Sequence, residues 1–174
     1  MTKNQYLANK FKQAKSILNK LKIPYSKKIK KIVASAMSEE LGLCTNFPED
    51  DSYIIEINED LVDVVMKTKK QSLIDSMMGV ILHEMMHTCE GCLNHSPLWH
   101  EYVDLVNENY GYHISTVTSA DDKEIVDILC KDYKYAITCQ KCGFSFYYKR
   151  NCPAVKNCES YHCSYCGGEL KRSR

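Results

Sequence analysis

The chain has 174 residues, 44% of them hydrophobic and 26% charged, with seven Gly, four Pro and ten Cys. This is ordinary globular composition, enough for one cored domain and a small appendage, and it excludes a low-complexity or collagen-like chain. The net charge of +1 hides a segregation: residues 1–38 carry ten Lys and no acid, residues 39–130 nineteen acids against four Lys, and residues 131–174 nine Lys and Arg against three acids.

The N-terminal stretch "MTKNQYLANKFKQAKSILNK" repeats Tyr6, Leu7, Phe11, Ala14, Ile17, Leu18 and Leu21 at helical spacing, with lysines on the other face. It has no apolar leader core or cleavage site, so we expect a cytoplasmic protein. No segment reaches the roughly 18 apolar residues of a membrane span, and no membrane partner is expected. In that compartment ten cysteines point to metal rather than to disulfides. The basic ends have two readings. They dock on the acidic middle and keep it soluble, or they form a polyanion footprint for which nucleic acid is the fitting partner.

Pro24 ends the first helix, and a second is expected over Lys28 to Met37. Residues 41–45 and 53–58 read as a hairpin around Pro48 to Ser52, followed by a short helix over 59–66. Lys69 to Thr88 reads as a long helix with Leu73, Met77, Ile81 and Met85 on one stripe. "CEGCLN" breaks it. Ser96 and Pro97 then supply an N-cap and a first-turn proline for a helix to about Asn109. Residues 121–131 are an ambiguous amphipathic segment. From Tyr135 the pattern becomes short strands and cysteine pairs.

The long helix carries His83-Glu84-Met85-Met86-His87, an H-E-x-x-H. Imidazoles four residues apart lie on one face and reach a single Zn²⁺. The glutamate sits on the flank, where it can take a proton from water on the metal. Val80, Ile81, Leu82, Met85 and Met86 surround these polar groups, an apolar setting that is costly unless they are coordinated or hydrogen-bonded. A catalytic zinc usually has a third protein ligand. His95 is the candidate, carried back by the turn at Gly91, and His100 is its competitor. Cys89 and Cys92 are a redox pair, further ligands or a reduced pair lining the turn.

"HEMMHTCEGCLNHSPLWHEYVDLVNENYGY" resembles the SprT-like zinc metallopeptidases, closely the short bacterial members. In that family the helix after H-E-x-x-H opens with a zinc-ligating His in a His-Gly-x-x-Trp/Phe-like run. Here the run is His95-Ser96-Pro97-Leu98-Trp99, with Ser where Gly is common. "LGLC…IIEINEDL" is similar to the family's hairpin, and the resemblance spans roughly residues 35–174. It implies His83, His87 and His95 as zinc ligands and Glu84 as general base, acting on a protein or peptide substrate. Some relatives cleave proteins attached to DNA. The resemblance names no oxyanion stabiliser, for which Tyr110, Tyr112 and His113 are candidates by position.

Downstream, Cys139-x2-Cys142 and Cys163-x2-Cys166 are separated by 20 residues. Such paired knuckles are a zinc-ribbon signature whose four thiolates close the shell, making a structural site. Cys152 and Cys158 are alternative ligands. Phe144, Phe146, Tyr147, Tyr148, Lys149 and Arg150 interleave aromatics with bases. That pattern suits single-stranded nucleic acid or a small ribbon core. The expected fold is α+β. A zincin-like helical domain with a small antiparallel hairpin or sheet occupies residues 1–133, with basic N-terminal helices in 1–38, and a β zinc ribbon occupies 134–174. The expected cofactors are one catalytic and one structural zinc, with manganese or iron compatible with the first ligand set. Peptide-bond hydrolysis is the leading function. A nucleic-acid-binding protein with a non-catalytic H-E-x-x-H, or a peptidase cutting one regulatory partner, are the alternatives.

Overall fold

The computed structural model describes residues 1–37, 40–116, 125, 128 and 132–174. Two compact units emerge, Met1–Ser119 and Ala120–Arg174. The ambiguous segment 121–131 lies outside the described residues except for Ile125 and Ile128.

In the first unit Thr2 and Gln5 form a reciprocal capping box that starts α1 (Lys3–Lys20). Leu7, Phe11, Ala14, Ile17 and Leu18 make its buried stripe. The helix stops in a Schellman motif. Ile23 N–H bonds Leu18 C=O at 2.9 Å and Lys22 N–H bonds Asn19 C=O at 3.2 Å, with Lys22 in the left-handed position at φ 57°.

The expected second basic helix is instead strand β1 (Ile29–Ser35). Ile29, Ile32 and Val33 are β-branched and favour a strand. The deciding contact is distant in sequence, because β1 pairs in parallel with β3 (Ser52–Asn58), Ile32 opposite Ile55 and Ala34 opposite Ile57. β2 (Gly42–Phe47) pairs antiparallel with β3, from Gly42 opposite Ile57 to Phe47 opposite Ser52. The hairpin is therefore as expected, but the sheet is mixed rather than purely antiparallel. Its order is β1-β3-β2, which leaves β2 at an edge. Ile55 and Ile57, on one face of β3, are fully buried.

Asn58 caps α2 (Glu59–Thr68) by accepting from Asp60 N–H. Its side-chain amide donates to Met37 C=O and Glu40 C=O at 3.3 and 2.9 Å, so this buried polar group is fully used. α3 (Gln71–Met86) packs against α1, α2 and strands β2 and β3. It buries Leu73, Met77, Met78, Ile81, Leu82, Met85 and Met86. α4 (Pro97–Tyr110) begins at the Ser96 cap, whose hydroxyl accepts from Trp99 N–H, and ends at Gly111 with φ 68°. No described helix is long and apolar enough to cross a membrane.

In the second unit β4 (Tyr135–Cys139) is central to an antiparallel sheet of order β5-β4-β6, with β5 at Ser145–Tyr148 and β6 at Leu170–Arg172. A one-turn helix α5 (Pro153–Lys156) adds Val155 to a small core of Ile137, Leu170, Cys139, Cys158 and Cys163.

Candidate metal centres

α3 places His83 and His87 one turn apart, and the turn at Gly91 (φ 77°) brings His95 back to them. His83 Nε2 stands 3.1 Å from His87 Nε2 and 3.2 Å from His95 Nε2. Ligands about 2.0–2.1 Å from a tetrahedral ion stand roughly 3.3 Å apart, so the spacing fits one metal ion. The His87 tautomer agrees. His87 Nδ1 lies 2.9 Å from Cys92 C=O, a bond the imidazole can make only as donor, which turns the Nε2 lone pair inward. A hydrogen bond to the Ser115 backbone holds His83. A cation among the three Nε2 atoms would satisfy all of them at once.

Burial, and then the neighbouring His87 and His95, lower the His83 pKa to about 4. Burial also lowers that of His95. His83 therefore stays neutral and ready to ligate at neutral pH. In the metal-free protein its neutral form favours folding above its ordinary value of 6.5. That contribution is lost as pH falls from there toward about 4. Urea unfolding of chelator-treated protein, followed by Trp99 fluorescence, should show the parent losing up to about 3 kcal/mol more than His83→Gln on acidification.

Within the His95–Trp99 run, sequence alone gives Trp99 no role of its own. It is fully buried beneath the cluster, stacked on His87 at 5.8 Å and edge-on to His83 and His95 at 4.8 and 4.5 Å. His100 is exposed on α4, packed edge-on against Trp99, and does not join the ligand group. Cys89 and Cys92 are free and buried in the turn. Burial raises both thiols, Cys89 to about 12, so they stay protonated outside that group.

Glu84 is buried on the flank of α3. Desolvation pushes its carboxyl up to about 8, opposed by the Cys44 backbone N–H that it accepts. β2 can approach this closely because residue 42 is Gly. A Cβ there would lie 2.6 Å from Val80 Cγ1 and 2.9 Å from Glu84 Oε1. A glycine inside a strand is the sequence sign of such a contact. The chain after α4 returns along α3, clamped where Asn107 Oδ1 accepts Ile114 N–H and Asn107 Nδ2 donates to Ile114 C=O, at 2.9 and 3.0 Å. This path sets Tyr112 under the influence of Asp75, eight residues before His83 and about 12 Å along the helix. Tyr110 stacks on Tyr112. Neither ring is among those that meet His83, His87 or His95, and His113 is exposed.

In the second unit the thiols of Cys139, Cys142, Cys163 and Cys166 converge as a group that could hold a metal ion. Sγ pairs stand 3.5 Å (Cys139–Cys166) and 3.7 Å (Cys142–Cys163) apart, close to the roughly 3.8 Å edge of a tetrahedral ZnS₄ site. Backbone N–H groups of Cys142 and Lys141 point at Cys139 Sγ and help lower that thiol to about 6. Gly168 is required by space, since a Cβ would sit 2.8 Å from Cys139 Sγ. Cys158 and Cys152 pack into the core beside the group rather than in it. Phe146 and Tyr148 also pack on that core, whereas Phe144 stays partly exposed against Tyr165. Comparison with family profiles, curated proteins and solved structures finds no match to this chain.

Proposed function

We propose that the first unit is a zincin-like, zinc-dependent metallopeptidase, and that a second, structural zinc holds the C-terminal ribbon. In this reading His83, His87 and His95 hold the first ion and Cys139, Cys142, Cys163 and Cys166 the second. Three imidazoles converge, and among the described residues no fourth His, Cys, Asp or Glu joins them, the protein-ligand count of catalytic rather than structural zinc. The observation that carries the reading is Glu84. It is a buried carboxyl next to a ligand, with no ion-pair partner among the described residues and a single backbone N–H for support. A group so costly to bury is expected where it does chemistry.

Bound zinc supplies Lewis acidity, bringing the pKa of a water to about 7. Glu84 accepts the proton of the attacking water and passes it to the amine nitrogen as the C–N bond breaks. In the metal-free protein burial raises the proton affinity of this carboxylate. His87 is held by Cys92 C=O and His83 by the Ser115 backbone, so neither ring has to reorient. The edge of β2, where Gly42 and Cys44 lie against Glu84, offers backbone groups on which an extended peptide can be held.

The test is cleavage of an unstructured fluorescent casein probe. Zinc-loaded protein should cut it, stop on chelation and resume when Zn²⁺ is returned. His95→Ala should lose at least the 10–100-fold in metal affinity seen when only an outer partner is removed, and activity with it, while His100→Ala keeps both. A fully loaded protein that leaves the probe and a panel of unstructured peptides intact overturns the proposal.

A further inference from the structure

The lysine-rich start of the chain plays no part in the metal chemistry. Residues 1–38 contain ten Lys and no Asp or Glu. If these lysines served to dock on the acidic middle of the chain, the structure would show them paired. Among the described residues only Lys3, Lys28 and Lys30 meet carboxylates, on Glu59 and Asp63, Asp51 and Asp50 respectively. Among the described residues Lys10, Lys12, Lys15, Lys20, Lys22, Lys27 and Lys31 make no ion pair.

The surface of α1 shows the same bias. Its apolar stripe is spent in the core, and the exposed side presents Asn9, Lys12, Gln13, Ser16, Asn19 and Lys20. Lys10 and Lys15 flank the stripe, lying over the rings of Tyr6 and Phe11 at 5.7 and 4.2 Å. A merely solvated helix face mixes both signs, because pairs one turn apart then attract instead of repel. This face instead offers cations and neutral hydrogen-bonding groups.

We infer that the outer face of α1, with Lys22 beside it, binds the phosphate backbone of nucleic acid without regard to sequence. Lysine heads neutralise phosphates as point charges, and Asn, Gln and Ser side chains hydrogen-bond phosphate oxygens. The 18-residue helix is about 27 Å long, enough to follow several phosphates. An anionic membrane fits less well, since surface helices insert an apolar face and that of α1 is already buried. The inference goes beyond peptide hydrolysis and does not rest on it.

The test uses the full chain and a short fluorescein-labelled duplex of arbitrary sequence, titrated by anisotropy over a range of KCl. The parent should bind at low salt with a steep salt dependence. In the triple variant Lys12→Gln, Lys20→Gln, Lys22→Gln, all three positions being exposed, the log–log salt slope should fall by about 0.9 per lost phosphate contact. At low salt its Kd should rise at least about tenfold. Unchanged Trp99 fluorescence and melting temperature would show that the fold is kept. Glu84→Gln should bind like the parent, so loss of hydrolysis and loss of binding are read separately. Phosphatidylserine vesicles should compete for the duplex at least about tenfold less well than unlabelled DNA. The inference is overturned by a parent that fails to bind at low salt, by a triple variant with parental affinity and slope, or by vesicles that compete as well as DNA.

Discussion

Glu84→Gln is expected to lower turnover of the probe by about a hundred- to ten-thousand-fold, the usual worth of a general base, while zinc content stays at the parental level. Gln has the same shape and its oxygen can still accept the Cys44 N–H, so β2 and α3 need not move. What it cannot do is carry a proton. Loss of activity from misfolding is separated from loss of the base by stability, because the two move in opposite directions. The parent carboxyl has its pKa raised by burial from 4.5 to about 8, so the metal-free folded state holds a proton that the unfolded chain releases. Its stability therefore falls as pH rises from about 4.5 through about 8. The amide has no such proton, so melting temperatures of chelator-treated parent and variant should diverge with rising pH, the variant being the more stable. A variant that retains parental turnover would remove Glu84 from the mechanism. One that loses turnover together with stability and zinc would show only a structural role.

The second large effect concerns the ribbon. Cys139→Ser, or chelation of the whole protein, is expected to unfold residues 134–174 while the first unit stays folded. The aliphatic core there is Ile137, Val155 and Leu170, packed with thiols and partly buried aromatics. A core so small rarely provides more than about 3–5 kcal/mol, whereas a structural zinc typically contributes about 10–16 kcal/mol. Serine keeps the size of Cys139 but binds zinc poorly, and it leaves three thiolates to share an incomplete shell. The two units can be observed independently, because the chain's one tryptophan, Trp99, lies in the first. Its fluorescence should be unchanged in Cys139→Ser, while amide signals from β4, β5 and β6 collapse to unfolded positions and limited proteolysis cuts within the ribbon. Native signals from those strands in zinc-free protein would show that the sulfur cluster is dispensable to the fold.

The sequence by itself determined what depends on short spacing. Four residues of helix put His83 and His87 on one face, Ser96 and Pro97 placed the start of α4, and each C-x-x-C turns within its own knuckle. Tertiary structure decided the rest, because those choices depend on partners far along the chain. The lysine-rich segment after Pro24 has an amphipathic pattern compatible with a helix, and it becomes β1 because β3, over twenty residues later, offers it a parallel ladder. His95 rather than His100 reaches the pair because the Gly91 turn sets where α4 begins relative to α3. The surroundings of Glu84 come from Gly42 and Cys44 on β2, and the support of His83 from Ser115 after α4. Local sequence encodes the direction of a side chain within its own turn of helix. The carbonyl, glycine or strand edge it meets is fixed only when the core closes around it.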